Sequence, residues 1–205
     1  GEELAYAGTG GAGLGLTLHN DICLPYFLSL CTEEQKQRWL PGICAGELIT
    51  AIAMTEPGTG SDLASMGTTA IRDGDHYVVN GSKTFITNGV RADFVVTAVK
   101  TTGEGGHHGL SFLIVDRGEG MTSSKLEKLG WHASDTATIA YDDVFVPEEN
   151  LLGRENEGFY LIMANFQWER LLMALGAVGS MRAGLERAIP RLVGRGQAAR
   201  HAVAE

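Results

Sequence analysis

The spacing of hydrophobic and polar positions changes character twice along the chain. Residues 1–47 read as helical, with Ile22, Leu24, Phe27, Leu28 and Leu30 forming an apolar helix that carries Pro25 near its first turn. Thr32-Glu33-Glu34-Gln35 is a capping box, in which the Thr32 hydroxyl accepts from the Gln35 amide and the Gln35 side chain reaches back. From about residue 48 the period becomes that of strands. β-rich runs recur at 48–54, 69–72, 77–80, 84–87, 94–99, 110–115 and 138–146. Turn signals separate them at Asp73-Gly74, Asn80-Gly81, Asn88-Gly89 and the Gly-rich stretch 103–109. Strands at this spacing predict a small β-barrel or sandwich. After Pro147 the helical period returns. Residues 157 to about 189 are expected to form one long helix, apolar on more than one face, as inside a bundle. Pro190 is expected to interrupt it, and 190–205 has no clear apolar period. No internal repeat is visible. The expected fold class is therefore α+β: the end of a helical domain (1–47), a central β-barrel (48–153), and the first long helix of a helical bundle (154–205).

Composition narrows this picture. Hydrophobic residues make up 44% and charged residues 20%, which predicts a packed core rather than disorder. A formal charge of −9 argues against a surface for nucleic acid or anionic lipid, while leaving room for one local basic pocket. The most apolar region, 161–180, is interrupted by Asn165, Gln167, Glu169 and Arg170, so no membrane span is expected. The opening Gly1-Glu2-Glu3-Leu4 has neither Met nor a signal pattern and reads as a fragment boundary. Cys23, Cys31 and Cys44 lack ligand spacing and are expected to be buried, reduced thiols of a cytoplasmic protein. His76 and His132 have no partners at metal spacing, and no metal site is expected. His107-His108 reads as a solvated loop, Trp131 as a packing residue, and Asp142-Asp143 as a solvated strand end.

Three places could carry chemistry. In the loop after Met54, Gly58 and Gly60 would let backbone N–H groups approach a pyrophosphate, with Thr55 and Ser61 adding hydroxyls; a plain Pro-Gly turn explains the same glycines. Phe85-Ile86-Thr87 places an aromatic and a hydroxyl on one strand face, which is equally an ordinary strand. Ile162, Phe166, Glu169, Met173 and Gly176 fall on one helical stripe. A carboxylate there must either raise its pKa or gain a partner, so a structural ion pair with a nearby Arg and a catalytic base both fit.

Met54-Thr55-Glu56-Pro57-Gly58-Thr59-Gly60-Ser61-Asp62 and Asn80-Gly81-Ser82-Lys83-Thr84-Phe85-Ile86-Thr87-Asn88-Gly89 resemble, in turn, the flavin and substrate signature and the second flavin segment of the acyl-CoA dehydrogenase family, a resemblance that covers roughly residues 1–187. Lys128-Leu129-Gly130-Trp131-His132-Ala133-Ser134-Asp135-Thr136 follows, then Val144-Phe145-Val146-Pro147 leading to Leu151-Leu152-Gly153. His19-Asn20 and the capping box fit the family's preceding helices. The resemblance implies FAD binding by Ile52, Met54, Thr55, Gly60, Ser61, Phe85, Ile86 and Thr87, with Phe85 standing where many members carry Trp against the isoalloxazine. It implies that Ser61, Phe166, Gln167 and Arg170 face the acyl-CoA. Most members carry their base later in the chain, whereas Glu169-Arg170 matches the isovaleryl-CoA and long-chain branches, which place a Glu directly before a conserved Arg. The implied reaction is removal of the thioester α-proton by Glu169 with hydride transfer of the β-hydrogen to flavin, giving a trans-2-enoyl-CoA. An electron-transfer flavoprotein as acceptor, a dimer or tetramer, and a cytoplasmic or mitochondrial-matrix location follow from the same resemblance. An acyl-CoA oxidase, or a non-catalytic remnant that binds acyl-CoA or a partner, are the alternatives.

The segment from Pro190 departs from the family's basic and aromatic FAD-contact segment, which implies a truncated or frame-shifted chain.

Overall fold

The computed structural model describes residues 1–103 and 106–193. Four short helices open the chain: α1 (Glu2–Tyr6), α2 (Gly10–Thr17), α3 (Leu24–Leu30) and α4 (Glu33–Ala45). A π-helical turn, Leu18–Cys23, links α2 to α3. Pro25 sits in the first turn of α3, directly after the π-helical turn. The capping box forms at α4: Gln35 N donates to Thr32 Oγ1 at 3.2 Å and Thr32 N donates to Gln35 Oε1 at 2.9 Å. The Gln35 amide also donates to the carbonyls of Glu149 and Leu151, at 2.8 Å each, so the cap fastens α4 to the β region.

Among the described residues the β region holds eight strands: β1 (Thr50–Ala53), β2 (Thr69–Asp73), β3 (His76–Thr87), β4 (Phe94–Lys100), β5 (Leu110–Asp116), β6 (Met121–Lys125), β7 (Thr136–Pro147) and β8 (Leu151–Leu152). They pair in the order β6-β7-β3-β2-β4-β5-β8, with β1 parallel to β4. The α+β order of helices, central β region and long helix is as expected, but the β region is not a closed barrel, because among the described residues no ladder joins β6 to β8. The sheet curls instead. Ala51, Ala70, Tyr77, Val95, Leu113, Met121 and Ile139, one from each of seven strands, share a single core. The other face of β4 and β5 (Phe94, Val96, Phe112, Ile114) packs on Tyr26, Phe27, Trp39 and Ile162 of the helices. Burial on both faces explains why β4 and β5 read as continuous apolar runs rather than alternating ones.

Asn80-Gly81 is not a turn. Runs 77–80 and 84–87 belong to one strand, β3, and Asn80 sits at a bulge where the register with β7 shifts. Asn80 Nδ2 donates to Asp143 Oδ1 and Asp143 N donates to Asn80 Oδ1, both at 2.9 Å. Asp142 and Asp143 are exposed, but they lie inside β7 and not at its end. Gly81 has φ +146°, and a Cβ there would lie 2.7 Å from the Thr68 Cα. Gly81→Ala is expected to destabilise the fold by about 1–3 kcal/mol, read as a lower urea midpoint; an unchanged midpoint would refute the close approach.

The final helix, α5, runs Gly158–Val193 and continues through Pro190, contrary to the expected break. The proline removes one amide donor near the last described turn, which the helix accommodates. Its buried positions include Ile162, Leu172, Gly179 and Ala183, while Met173 is exposed, so beyond Glu169 the buried face runs one residue off the expected phase. Trp131, expected to be a packing residue, is 61% exposed. Cys23 and Cys31 are buried but Cys44 is exposed. His107 is not simply solvated, since its ring lies 5.2 Å from that of Phe159. Among the described residues no helix is long and apolar enough to cross a membrane, and no group of three His, Cys, Asp or Glu could hold a metal ion.

Candidate functional site

Three distant segments wall one cavity of about 470 Å³: the loop leaving β1, the end of β3, and α5 between Met163 and Arg170. Ile52, Met54, Thr55, Gly60 and Ser61 come from the first segment, Phe85, Ile86 and Thr87 from the second, and Phe166, Glu169 and Arg170 from the third. Gln167, expected on the substrate side, is exposed and lies outside the lining. At one residue before Trp168, it points away from the stripe that carries Phe166 and Glu169.

The loop is built around a tight turn. Glu56 N donates to Thr59 O at 2.9 Å and Thr59 N donates to Glu56 O at 3.1 Å. No atom lies within 4 Å of a Cβ built on Gly58 or Gly60, so the backbone there is open to a ligand. The loop's inner side is held by a buried ion pair, with Lys83 Nζ donating to Glu56 Oε1 at 2.9 Å and to Met54 O at 3.1 Å. Glu56 also accepts from the amides of Gly67 and Thr68 at 2.7 and 2.9 Å. Burial pushes the Glu56 carboxyl up, but the bonds from Thr68 and Lys83 outweigh it and leave the group below its ordinary value. Burial pulls Lys83 down to about 8 despite Glu56.

A second register shift, between Lys83 and Ile86, distorts β3 at its end. Phe85 there has φ +61°, a left-handed conformation that is strained for an aromatic residue, and the residue is 70% exposed in the cavity lining. The bulge brings three consecutive residues, Phe85 to Thr87, to the cavity wall, where strict alternation would bring two. Asn88, next in the chain, donates to Thr50 O and Gly15 O at 3.2 and 3.1 Å. That ties the end of β3 to β1 and to α2.

Glu169 is half-buried on α5. Burial pushes its carboxyl above the ordinary value, while the bond from Asn165, the nearby Tyr26 hydroxyl and the Arg170 charge pull it back. Asn165 Nδ2 donates to Glu169 Oε1 at 2.7 Å. Arg170 lies over the Phe166 ring at 5.5 Å and makes no ion pair with the described residues. The structural ion pair considered for Glu169 is thus replaced by a hydrogen bond from a neutral amide.

Leu18, Leu63 and Met163 also line the cavity and were not singled out from the sequence. Met163 was recoverable, being three positions before Phe166 on the same helical stripe. Leu18 and Leu63 were not, because tertiary packing alone brings the π-helical turn and the 3-10 turn Leu63–Ser65 to this wall.

Comparison with known proteins follows the same order along the chain. The family model for the acyl-CoA dehydrogenase N-terminal domain matches residues 1–47, the middle-domain model 51–144 and the C-terminal-domain model 156–205. The last match extends beyond Pro190, where the family wording was expected to stop. The mouse mitochondrial long-chain specific acyl-CoA dehydrogenase is 44% identical over 183 residues, covering 87% of this chain and 42% of that protein. The isovaleryl-CoA dehydrogenase of Pongo abelii is 40% identical over 195 residues, covering 93% of this chain and 46% of that protein. Among solved structures, an acyl-CoA dehydrogenase from Geobacillus kaustophilus superposes with a TM-score of 0.90 at 51% identity, covering 93% of this chain and 51% of that one. The chain spans about half the length of these relatives. Three domain models of one family, met in their order along the chain, and a fold shared with its solved members place it: this chain belongs to the acyl-CoA dehydrogenase family.

Proposed function

We propose that this chain is the FAD- and acyl-CoA-binding portion of an acyl-CoA dehydrogenase in which Glu169 is the catalytic base, with the domain division 1–47, 48–153 and 154–205. The observation that carries this reading is the convergence of the 54–61 loop, Phe85 to Thr87 and Glu169 on one cavity. The residues present fit the cofactor. Phe85 offers an exposed aromatic face, Thr87, Thr55 and Ser61 offer hydroxyls, and the backbone at Gly58 and Gly60 has open space beside it. Phe85, Ile86 and Thr87 would hold the isoalloxazine, and Ile52, Met54, Thr55, Gly60 and Ser61 the remainder of the cofactor.

FAD, when bound, supplies a two-electron acceptor for the substrate's β-hydrogen. The chain's own residues do the rest. Glu169 takes the α-proton, and its half-buried carboxyl, raised by desolvation, has the basicity that step needs. Phe166 gives the acyl group an apolar wall, and Arg170 adds a cation to the cavity lining for the substrate. Water is thinned from the site by Leu18, Met54, Leu63 and Met163. The product is a 2-enoyl-CoA. The electrons are passed to an electron-transfer flavoprotein, and the working protein is a homo-oligomer in the cytoplasm or mitochondrial matrix.

The test is spectroscopic. The purified full-length protein is expected to show flavin absorbance bands that bleach when an acyl-CoA is added anaerobically. A flavin-free protein, or a flavin that no acyl-CoA in a panel of lengths and branchings bleaches, would overturn the reading.

A further inference from the structure

Glu169 does not stand alone on α5. Asn165, one turn earlier, donates to the Glu169 carboxylate at 2.7 Å and to the carbonyl of Ile22 at 3.4 Å. An amide nitrogen has two hydrogens, so both bonds form at once. Trp168, adjacent to Glu169, donates from Nε1 to the carbonyl of Asp21 at 2.9 Å. Asp21 and Ile22 both belong to the π-helical turn Leu18–Cys23, whose widened backbone presents carbonyls that an α-helix would bond internally. Two successive carbonyls of that turn are therefore bonded by the side chains at positions four before and one before Glu169. The same turn contributes Leu18 to the cavity wall.

From this geometry we propose that Asn165, anchored on Ile22, is a positioning residue that fixes the Glu169 carboxylate toward the cavity, a role that rests on Glu169 being the base. A glutamate on a half-open helix face has several rotamers, and proton removal requires one. The bond to Asn165 selects it, and the anchor on the π-helical turn stops the amide from following the carboxylate away. The titratable groups facing Glu169 are Tyr26 from α3, Cys23 from the π-helical turn and Arg170 from α5 itself. Burial pushes the Cys23 thiol up to about 12 and the Tyr26 hydroxyl well above its ordinary value, so neither changes charge in the range where a carboxylate does. The Tyr26 hydroxyl is buried close to Asn165 and Glu169 without a bond of ordinary geometry to either. Asn165 is thus the neutral donor that the carboxylate keeps as it gains and loses charge.

The experiment is the pH profile of kcat/KM in the FAD-loaded full-length protein, wild type against Asn165→Ala and Asn165→Leu. Loss of the donor raises the Glu169 pKa, so the acid limb is expected to move to higher pH, with kcat/KM about tenfold lower on the acid side. Flavin absorbance and KM are expected to hold. Asn165 borders an open pocket beside Ala164 and Leu161, so Ala there leaves no sealed void, while Leu keeps the volume if Ala does not load flavin. An acid limb that coincides with wild type in either flavin-loaded variant overturns the proposal. If Glu169→Gln is inactive in the same series, the base assignment survives that loss. If Glu169→Gln turns over normally, both fall.

Discussion

Replacing Glu169 by Gln is expected to leave flavin absorbance intact and to cut acyl-CoA turnover by roughly 10²–10⁴-fold, the range that a lost general base commands. The amide keeps the side chain's size and can still accept from Asn165, so packing on α5 should be undisturbed. The same substitution has a stability signature. Because burial raises the folded-state pKa above the ordinary 4.5, the native state binds more protons than the unfolded state between those two values. Stability therefore falls as pH rises through that window, and above it the wild type carries the full cost of a half-buried carboxylate. E169Q carries none of it. Thermal melts should show E169Q above wild type at pH 7, with the gap closing as pH falls toward 4.5. Near-normal turnover would sink the base assignment. A variant no more stable than wild type at pH 7 would sink the desolvation argument but leave the base assignment standing.

What the sequence disclosed and what it hid divide along physical lines. The capping box at Thr32 and the strands 94–99 and 110–115 were legible because each rests on local hydrogen bonding or on a dense apolar run. β6 was not. Met121-Thr122-Ser123-Ser124-Lys125 has one inward apolar residue, and its pairing with β7 supplies the order that its own sequence lacks. Asn80-Gly81 carries the composition of a hairpin turn and forms a bulge, because the glycine is needed for its positive φ and for close approach to Thr68 rather than for chain reversal. Curl without closure was also illegible, since strand spacing does not say whether the last strand meets the first. The candidate site fared better: eleven of the twelve residues expected from family wording line one cavity, and Gln167 alone does not. Glu169 could be placed on the helix, but Asn165, Tyr26 and the π-helical turn around it could not, because nothing in the helical period marks a residue whose partner is a carbonyl 143 positions away.

The second large effect is expected at the buried pair beneath the 54–61 loop. Glu56→Ala removes the acceptor for Lys83 Nζ and for the amides of Gly67 and Thr68 in one step. Lys83 is fully buried, so its ammonium would then have only the Met54 carbonyl. Breaking a buried pair from one side costs about 3–5 kcal/mol, because the remaining charge is left uncompensated. Lys83→Met should cost less, about 1–3 kcal/mol, since Glu56 keeps both amide donors and the methionine fills most of the volume. Urea unfolding at constant slope tests that order, and a Lys83→Met variant less stable than Glu56→Ala would contradict it. The pH dependence gives an independent check. Lys83 is pulled to about 8 in the folded state from an ordinary 10.5, so between those values the unfolded chain holds more protons and stability rises with pH. Lys83→Met lacks that rise. Glu56 acts in the opposite range: its contribution is present above 4.5 and is lost as pH falls through its lower folded value. Because the pair sets where the Thr55 and Gly60 backbone lies, both variants should also weaken FAD retention, and Glu56→Ala more so. That is measured as flavin absorbance per mole of protein after gel filtration. A Glu56→Ala protein that is destabilised yet retains FAD as wild type does would separate the fold's need for this pair from the cofactor's.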